Sequence, residues 1–209
     1  SIGPVSISMD RFNLEEARRN PTGMPDAEAS AQAEEYLQKC IENQDSAGGV
    51  VSCKVHGMPA GIGEPVFDKL DACLGQAVMS IGAVKAFAVG DGCEVSKKNG
   101  STNNDAFCNV NGQISKKTNH AGGILGGISD GSDIILRAYF KPTPSIYQKQ
   151  QTVNQAGEEI EIQIKGRHDP IVVSRAVVVV EAMTAVTILD ELLRNMTSRL
   201  DGIKKFYHK

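Results

Sequence analysis

The amino-acid sequence predicts an α+β fold, and two observations carry this prediction. Residues 133–140 and 159–165 alternate apolar and polar side chains as β-strands do, whereas residues 26–43 and 174–194 repeat apolar side chains with helical period. The strands have an antiparallel pattern and are interspersed with helices, an order that is typical of α+β proteins. The 209 residues can bury a core, and we expect them to form part of one domain.

The first half of the chain is predicted to mix strands and helices. Residues 2–9 fit a short edge strand loosely, because Pro4 has no N–H group to donate to a neighbouring strand. A helix is predicted over residues 26–43, where acidic residues follow Pro25 and apolar residues recur four positions apart. The other predicted elements are a strand over 50–55, a helix over 67–81 and a strand over 84–89.

The second half begins with a long irregular segment. Residues 90–131 are rich in Gly, Asn, Ser and Lys, so we expect residues 90–119 to be a mobile loop that covers or lines a site. After the strand over 133–140, a half-buried strand is expected over 159–165. The last predicted element is a helix over 174–194, whose first half we expect to lie in the core.

Composition excludes several classes of function. A net charge of −3 argues against a broad nucleic-acid interface, and the apolar stretch 176–189 is too short to cross a membrane. Five cysteines without a CxxC pair indicate reduced thiols in a cytosolic protein rather than a metal site. The chain starts without Met or a signal-peptide pattern, so we expect it to begin inside a larger protein.

Two segments could bind an anion, although each also has a purely structural interpretation. The Gly-rich run 119–131 would let backbone N–H groups approach a flat or anionic ligand, or it is simply a turn. Just past a strand end, a proline-stiffened corner at residues 141–145 holds one ammonium and two hydroxyl groups in a small volume. This combination suits a phosphate group, and the alternative is an exposed turn with an incidental Lys141.

A third segment joins three functional groups in one tight turn. Arg167, His168 and Asp169 precede Pro170, which keeps the Asp169 backbone out of helical geometry. A carboxylate held in this way could accept a proton, and Arg167 could clamp a carboxylate or phosphate. The alternative is an Asp–Arg pair that closes the connection between a strand and a helix.

Five motifs, in their order and spacing, closely resemble chorismate synthases. They lie at residues 63–71 (GEPVFDKLD), 79–85 (MSIGAVK), 119–131, 141–146 and 166–170 (GRHDP). The resemblance runs from the first predicted strand to the helix that ends near Arg194. It implies that the chain is the C-terminal part of a β–α–β sandwich, in which helices lie between two antiparallel sheets.

The resemblance also implies a reaction, a cofactor and a site. The reaction is a 1,4-anti elimination of phosphate from 5-enolpyruvylshikimate 3-phosphate, which yields chorismate and requires reduced FMN without net redox change. Asp169 resembles the aspartate that lies beside a flavin ring nitrogen and relays the abstracted proton. A cytosolic or plastid homotetramer is implied, whereas the source of flavin reduction, NADPH or a separate reductase, stays open. The FMN contacts fall on Gly82, Ala83, Gly126, Lys141, Pro142, Thr143, Pro144, Ser145 and Arg167.

Two departures from the family pattern matter. Ala88 stands where an acidic residue is expected, outside the binding positions. The two catalytic histidines of the family, in Gly-Glu-Ser-His and Arg-Pro-Gly-His motifs, and its arginine-rich segment have no counterpart here. We therefore expect the isolated chain to be inactive, and the alternatives are a non-catalytic fragment that binds flavin or phosphate, or an oligomerisation fragment.

Overall fold

A computed structural model describes residues 1–166 and 168–207 and confirms the α+β fold class. Within this part of the chain, short 3-10 helices lie at Met9–Arg11, Glu16–Arg18 and Gly92–Lys97. The α-helices are α1 (Ala27–Glu42), α2 (Leu70–Met79), α3 (Gly100–Asn103), α4 (Val173–Met196) and α5 (Leu200–Tyr207). The strands are β1 (Gly49–Val55), β2 (Val84–Val89), β3 (Phe107–Val110), β4 (Gln113–Lys116), β5 (Ile124–Leu125), β6 (Ile128–Ser129), β7 (Ile134–Phe140), β8 (Gln150–Val153) and β9 (Glu159–Ile162).

Strand β7 is the centre of a three-stranded sheet with the order β1-β7-β2. Its side chains alternate as predicted, because Ile134, Leu136, Ala138 and Phe140 are buried and the residues between them are half-buried. The remaining strands of the described residues pair as antiparallel hairpins, β3 with β4, β5 with β6 and β8 with β9. The predictions of β1, β2 and β7 are therefore confirmed almost to the residue.

The chain divides into two compact units. Unit 1 comprises Ser1–Val51 with Tyr139–Val177, and its core contains Ile2, Met24, Ala29 and Ala33. Unit 2 comprises Ser52–Ala138 with Val178–Lys209. In unit 2, α2 packs against β2, and Gly75 makes room for the Phe87 ring. A Cβ atom at Gly75 would lie only 3.2 Å from that ring. Leu70, Leu74 and Val78 form the buried face of this helix.

Helix α1 begins at a buried carboxylate. Asp26 is fully buried at the N-cap and accepts hydrogen bonds from the backbone N–H groups of Glu28 and Ala29, both at 3.1 Å. It also accepts from Ser8 N at 2.9 Å and pairs with Arg11. Arg11, the Ser8 amide and the Ala29 amide together lower the pKa of Asp26 to about 2. The helix bounds agree with the predicted 26–43.

Three predictions about local structure were wrong in part. Residues 2–9 form no strand, because Ile2 and Val5 bridge each other across a turn at Gly3 and a 3-10 helix starts at Met9. The segment 90–131 contains short helices and two hairpins, although the predicted mobility of residues 90–119 stays a prediction. Strand β9 is exposed on both faces rather than half-buried, since it pairs only with β8 in a two-stranded ribbon.

Helix α4 confirms the predicted last helix but not its full burial. One stripe is buried, whereas Val177, Val178 and Val179 in the first half are 43%, 64% and 42% exposed. The valine run therefore contributes one face to the core, not the whole circumference. No helix in the described part of the chain is both long enough and apolar enough to span a bilayer.

Replacement of Asp26 by Ala should lower the midpoint of thermal unfolding by several degrees, because it removes an N-cap and leaves Arg11 and the Ser8 amide without their acceptor. The folded-state pKa of Asp26 lies below the unfolded value of about 3.9. Its contribution to stability is therefore complete above about pH 4 and is lost as the pH falls towards about 2. Thermal melts followed by circular dichroism across this range test the expectation.

Asp10→Ala is the matched control, since Asp10 is an exposed aspartate in the same segment. It should melt like the wild-type protein at every pH. Equal midpoints for Asp26→Ala and Asp10→Ala would show that the buried carboxylate does not hold the start of α1.

Candidate functional site

The 141–145 corner begins where β7 ends and packs against residues 46–48. A Cβ atom at Gly48 would lie 2.6 Å from the Phe140 carbonyl oxygen, so only glycine allows this approach. The Ser46 hydroxyl donates to the Thr143 carbonyl oxygen at 2.7 Å and anchors the corner. The Lys141 side chain is exposed, and its charge faces solvent.

The same three residues hold the segment that contains Asp169. The Ala47 N–H donates to the Pro170 carbonyl oxygen at 2.7 Å, and Ala47 forms a parallel bridge with Ile171. Residues 46–48 therefore anchor two predicted binding segments that are distant from each other in sequence. In unit 1 the structure brings together the 141–145 corner and the turn at His168 and Asp169.

Asp169 pairs with Arg175 of α4. The pair is partly exposed, with the Asp169 side chain 43% and the Arg175 side chain 70% accessible. This ion pair matches the structural alternative given above, an Asp–Arg pair that closes the connection between a strand and a helix. It leaves the Asp169 carboxylate accessible to solvent. Arg167, which the sequence placed in the site, lies outside the described residues.

Gly82 and Ala83 occupy a tight turn after α2. The Val84 N–H donates to the Ile81 carbonyl oxygen at 3.2 Å across them. Ala83 has a φ of 70°, a conformation that costs a residue with a Cβ atom about 1 kcal/mol or more. A Cβ atom on Gly82 would meet no atom within 4 Å, so the backbone here is open to a ligand.

Gly126 and Gly127 form the turn between β5 and β6, which we call the glycine turn. Both have positive φ, 61° and 87°, as the central residues of a type I′ hairpin turn do. The Gly127 carbonyl oxygen accepts from Leu70 N–H at 2.8 Å, which satisfies a free amide at the start of α2. Gly126 has open space above it instead.

Within unit 2, the glycine turn and the Gly82–Ala83 turn lie at opposite ends of α2. The helix has 10 residues, which corresponds to a length of about 15 Å. Only an extended ligand can contact both turns. Gly127 therefore has a structural contact, whereas ligand binding at Gly126, whose backbone is free, stays a prediction.

A charged cluster fixes the start of the Gly-rich run. The Asp105 carboxylate accepts from Thr118 Oγ1 at 2.7 Å, His120 N at 2.7 Å and Ala121 N at 3.0 Å. Burial opposes ionisation of Asp105, but these hydrogen bonds outweigh it and hold its pKa below the usual value. Asp91 Oδ2 lies 2.6 Å from His120 Nδ1 and also pairs with Lys98. His120 is therefore bound to a carboxylate in the folded chain.

Comparison with known proteins decides the family. A family model described as chorismate synthase matches residues 1–193. The chain belongs to the chorismate synthase family. A chorismate synthase of Lachnoclostridium phytofermentans is 60% identical over the whole chain, and one of Agathobacter rectalis is 56% identical. A crystal structure of a chorismate synthase superposes with a TM-score of 0.76 at 26% identity and covers 98% of this chain.

The chain spans 57% of the length of these two chorismate synthase relatives and 58% of the crystallised chain. The matched part is the C-terminal part of the relatives, as the resemblance predicted. The histidines expected in the N-terminal motifs of chorismate synthases lie outside this match. Of the histidines in the described residues, His56 pairs with Asp133 at 2.7 Å and His120 with Asp91.

The motifs of the chorismate synthase family did not identify every residue that builds the site in unit 1. Residues 46–48 lie between the predicted helix over 26–43 and the predicted strand over 50–55, and nothing in their local sequence reveals a contact with Thr143, 97 positions later. Tyr147 packs its ring edge-on against His168, with ring centroids 4.9 Å apart. An aromatic residue shortly after a proline-rich corner was the only available signal for this contact.

Proposed function

We propose that the full-length protein that carries this chain is a chorismate synthase, a lyase of aromatic amino acid biosynthesis. It would eliminate phosphate from 5-enolpyruvylshikimate 3-phosphate to give chorismate, with reduced FMN as cofactor. The observation that carries the proposal is 60% identity to a chorismate synthase across all 209 residues. A non-catalytic binding fragment is not favoured, because the relatives that match the entire chain are chorismate synthases.

The residues of this chain fit FMN, a flat ligand with an anionic tail. Thr143 Oγ1 is buried and has no hydrogen-bond partner among the described residues, although a buried hydroxyl normally has one. Lys141 offers an exposed positive charge, and Gly82 and Gly126 leave open space for close approach. These observations support a flavin contact at the 141–145 corner in unit 1 and, separately, at the two turns in unit 2.

The elimination breaks a C–O bond to phosphate and a C–H bond, and the proton must pass to a base. Reduced FMN, held by the residues named above, would supply electronic assistance to the elimination without net redox change. Asp169 is the base that this chain provides, since its carboxylate is paired with Arg175 yet solvent-accessible. Departure of phosphate also requires a proton donor, a role that the resemblance gives to the family's N-terminal histidines.

The assembly and location follow from the same resemblance. We propose a homotetramer in the cytosol, with 5-enolpyruvylshikimate 3-phosphate and FMN as its small-molecule partners. The net charge of −3 supports the absence of a nucleic-acid partner.

The full-length protein should convert 5-enolpyruvylshikimate 3-phosphate to chorismate under anaerobic conditions with reduced FMN, whereas residues 1–209 alone should not. The isolated chain has Asp169 to accept a proton but lacks the family's histidines, and such losses lower rates by orders of magnitude. Absorbance of chorismate measures both reactions. A full-length protein without activity would refute the proposed function, and a fully active isolated chain would point to His56, His120 or His168 as replacement catalysts.

Lys141→Ala in the full-length protein should weaken FMN binding by about 1–3 kcal/mol, the range for loss of a hydrogen bond to a charged group. Flavin fluorescence titration measures the affinity. Lys149→Ala is the matched control, because Lys149 is an exposed lysine of the same unit that pairs with Glu161 at 2.8 Å. Equal affinities for both variants and the wild type would remove Lys141 from the site.

Asp169→Asn should lower turnover roughly 10²- to 10⁴-fold, the usual contribution of a general acid–base group. The melting temperature should change little, since a partly exposed ion pair contributes only about 0–1 kcal/mol. Asp201→Asn is the control, because Asp201 forms a similar exposed pair with Arg199 at 3.1 Å. If the folded Asp169→Asn protein turns over like the wild type, the Asp169–Arg175 pair is only a structural closure.

A further inference from the structure

His168 has a buried nitrogen atom without a hydrogen-bond partner among the described residues. Four buried side-chain polar atoms lack a hydrogen-bond partner within the described residues, and two of them lie in unit 1, Thr143 Oγ1 and His168 Nε2. A buried polar group without a hydrogen bond destabilises the folded chain, so such atoms in a native protein require an explanation. Thr143 is already assigned to the flavin by resemblance, whereas His168 has no assigned role.

The His168 ring is held in place by packing. The Tyr147 ring meets it edge-on at an interplanar angle of 77°, and the Tyr147 hydroxyl donates to the Gly166 carbonyl oxygen. Gln163 Nε2 donates to the Tyr147 carbonyl oxygen at 2.6 Å, so Tyr147 is itself fixed at both ends. Neighbouring residues thus orient the imidazole without using its Nε2 atom, as expected of a side chain prepared for a ligand.

The position of His168 connects it to the site. It lies next to Asp169 in the segment that Ala47 anchors through the Pro170 carbonyl oxygen. Through residues 46–48 this segment is tied to the corner that contains Thr143. Both unpartnered atoms of unit 1 therefore belong to the two segments that the same three residues hold together.

We propose that His168 is a flavin-binding residue whose Nε2 atom forms a hydrogen bond with the bound FMN. This inference rests on the proposed function, because it places the missing partner of His168 in the cofactor of that site. Imidazole nitrogen can donate or accept according to its tautomer, and a glutamine side chain offers an amide group at a similar reach. Substitution of His168 by glutamine, which keeps a hydrogen-bonding group, and by alanine, which does not, therefore distinguishes a hydrogen-bonding role from a space-filling one.

In the full-length protein, His168→Ala should lower the affinity for reduced FMN about tenfold, and His168→Gln should restore most of it. The FMN-free His168→Ala protein should melt at a lower temperature than the wild type, because it loses the packing against Tyr147, so the FMN affinity is the deciding readout. A purely structural histidine would show the same loss of melting temperature but an unchanged affinity for FMN. Anaerobic flavin titration and thermal melts give both readouts.

His56→Gln is the matched control, since His56 is an exposed histidine of unit 2 that pairs with Asp133, and it should bind FMN like the wild type. Unchanged FMN affinity in His168→Ala would overturn the inference while the proposed function stands. A raised KM for 5-enolpyruvylshikimate 3-phosphate with unchanged FMN affinity would also overturn it, by assigning His168 to the substrate. If the wild-type protein itself binds no FMN, the proposed function fails first.

Discussion

The part of the site in unit 1 depends on a steric constraint at Gly48. Any side chain there would collide with the Phe140 carbonyl oxygen and would force the end of β7 away from residues 46–48. Ser46 and Ala47 then use one hydroxyl and one amide to hold the Thr143 and Pro170 carbonyl oxygens. Three small residues thus hold the 141–145 corner close to the segment that contains Asp169, through two hydrogen bonds.

The buried polar side chains of unit 1 differ in whether they have a hydrogen-bond partner within the described residues. The buried carboxylate of Asp26 has a partner for each oxygen atom, and it holds the start of α1. Thr143 Oγ1 and His168 Nε2 are also buried but have no partner within the described residues. A satisfied buried group stabilises the fold, whereas an unsatisfied one is tolerated where a ligand can complete it. Asn103 Oδ1 and Glu191 Oε2 of unit 2 also lack a partner within the described residues, so the contrast supports the proposed flavin contacts only together with the position of Thr143 and His168 in the candidate segments.

Backbone strain and glycine placement mark the candidate positions in unit 2. Ala83 adopts a left-handed backbone conformation, which glycine would adopt without strain. The glycine of this turn, Gly82, lies one position earlier and does not occupy the strained position. Strained backbone of this kind persists where surrounding structure holds it, and it concentrates at ligand sites. The two glycines of the glycine turn have different roles. The Gly127 carbonyl oxygen accepts a hydrogen bond from the start of α2, and the Gly126 backbone stays accessible. The family motifs around both turns have these physical causes.

The sequence by itself determined the elements in which apolar residues recur with a clear strand or helix period, such as β7, β2 and α1. It also determined the family, through motifs with specific spacing. The ribbon of β8 and β9 was not predictable in its exposure, because the isoleucine pattern of β9 is the same whether or not a core lies beneath it. Local sequence made the 141–145 corner, Arg167 and Asp169 candidates for a site, the resemblance gave them roles beside a flavin, and those roles stay predictions. Their arrangement in unit 1 was decided by the tertiary structure, since contacts of Gly48 with Phe140 and of Tyr147 with His168 depend on chain segments that meet only after folding.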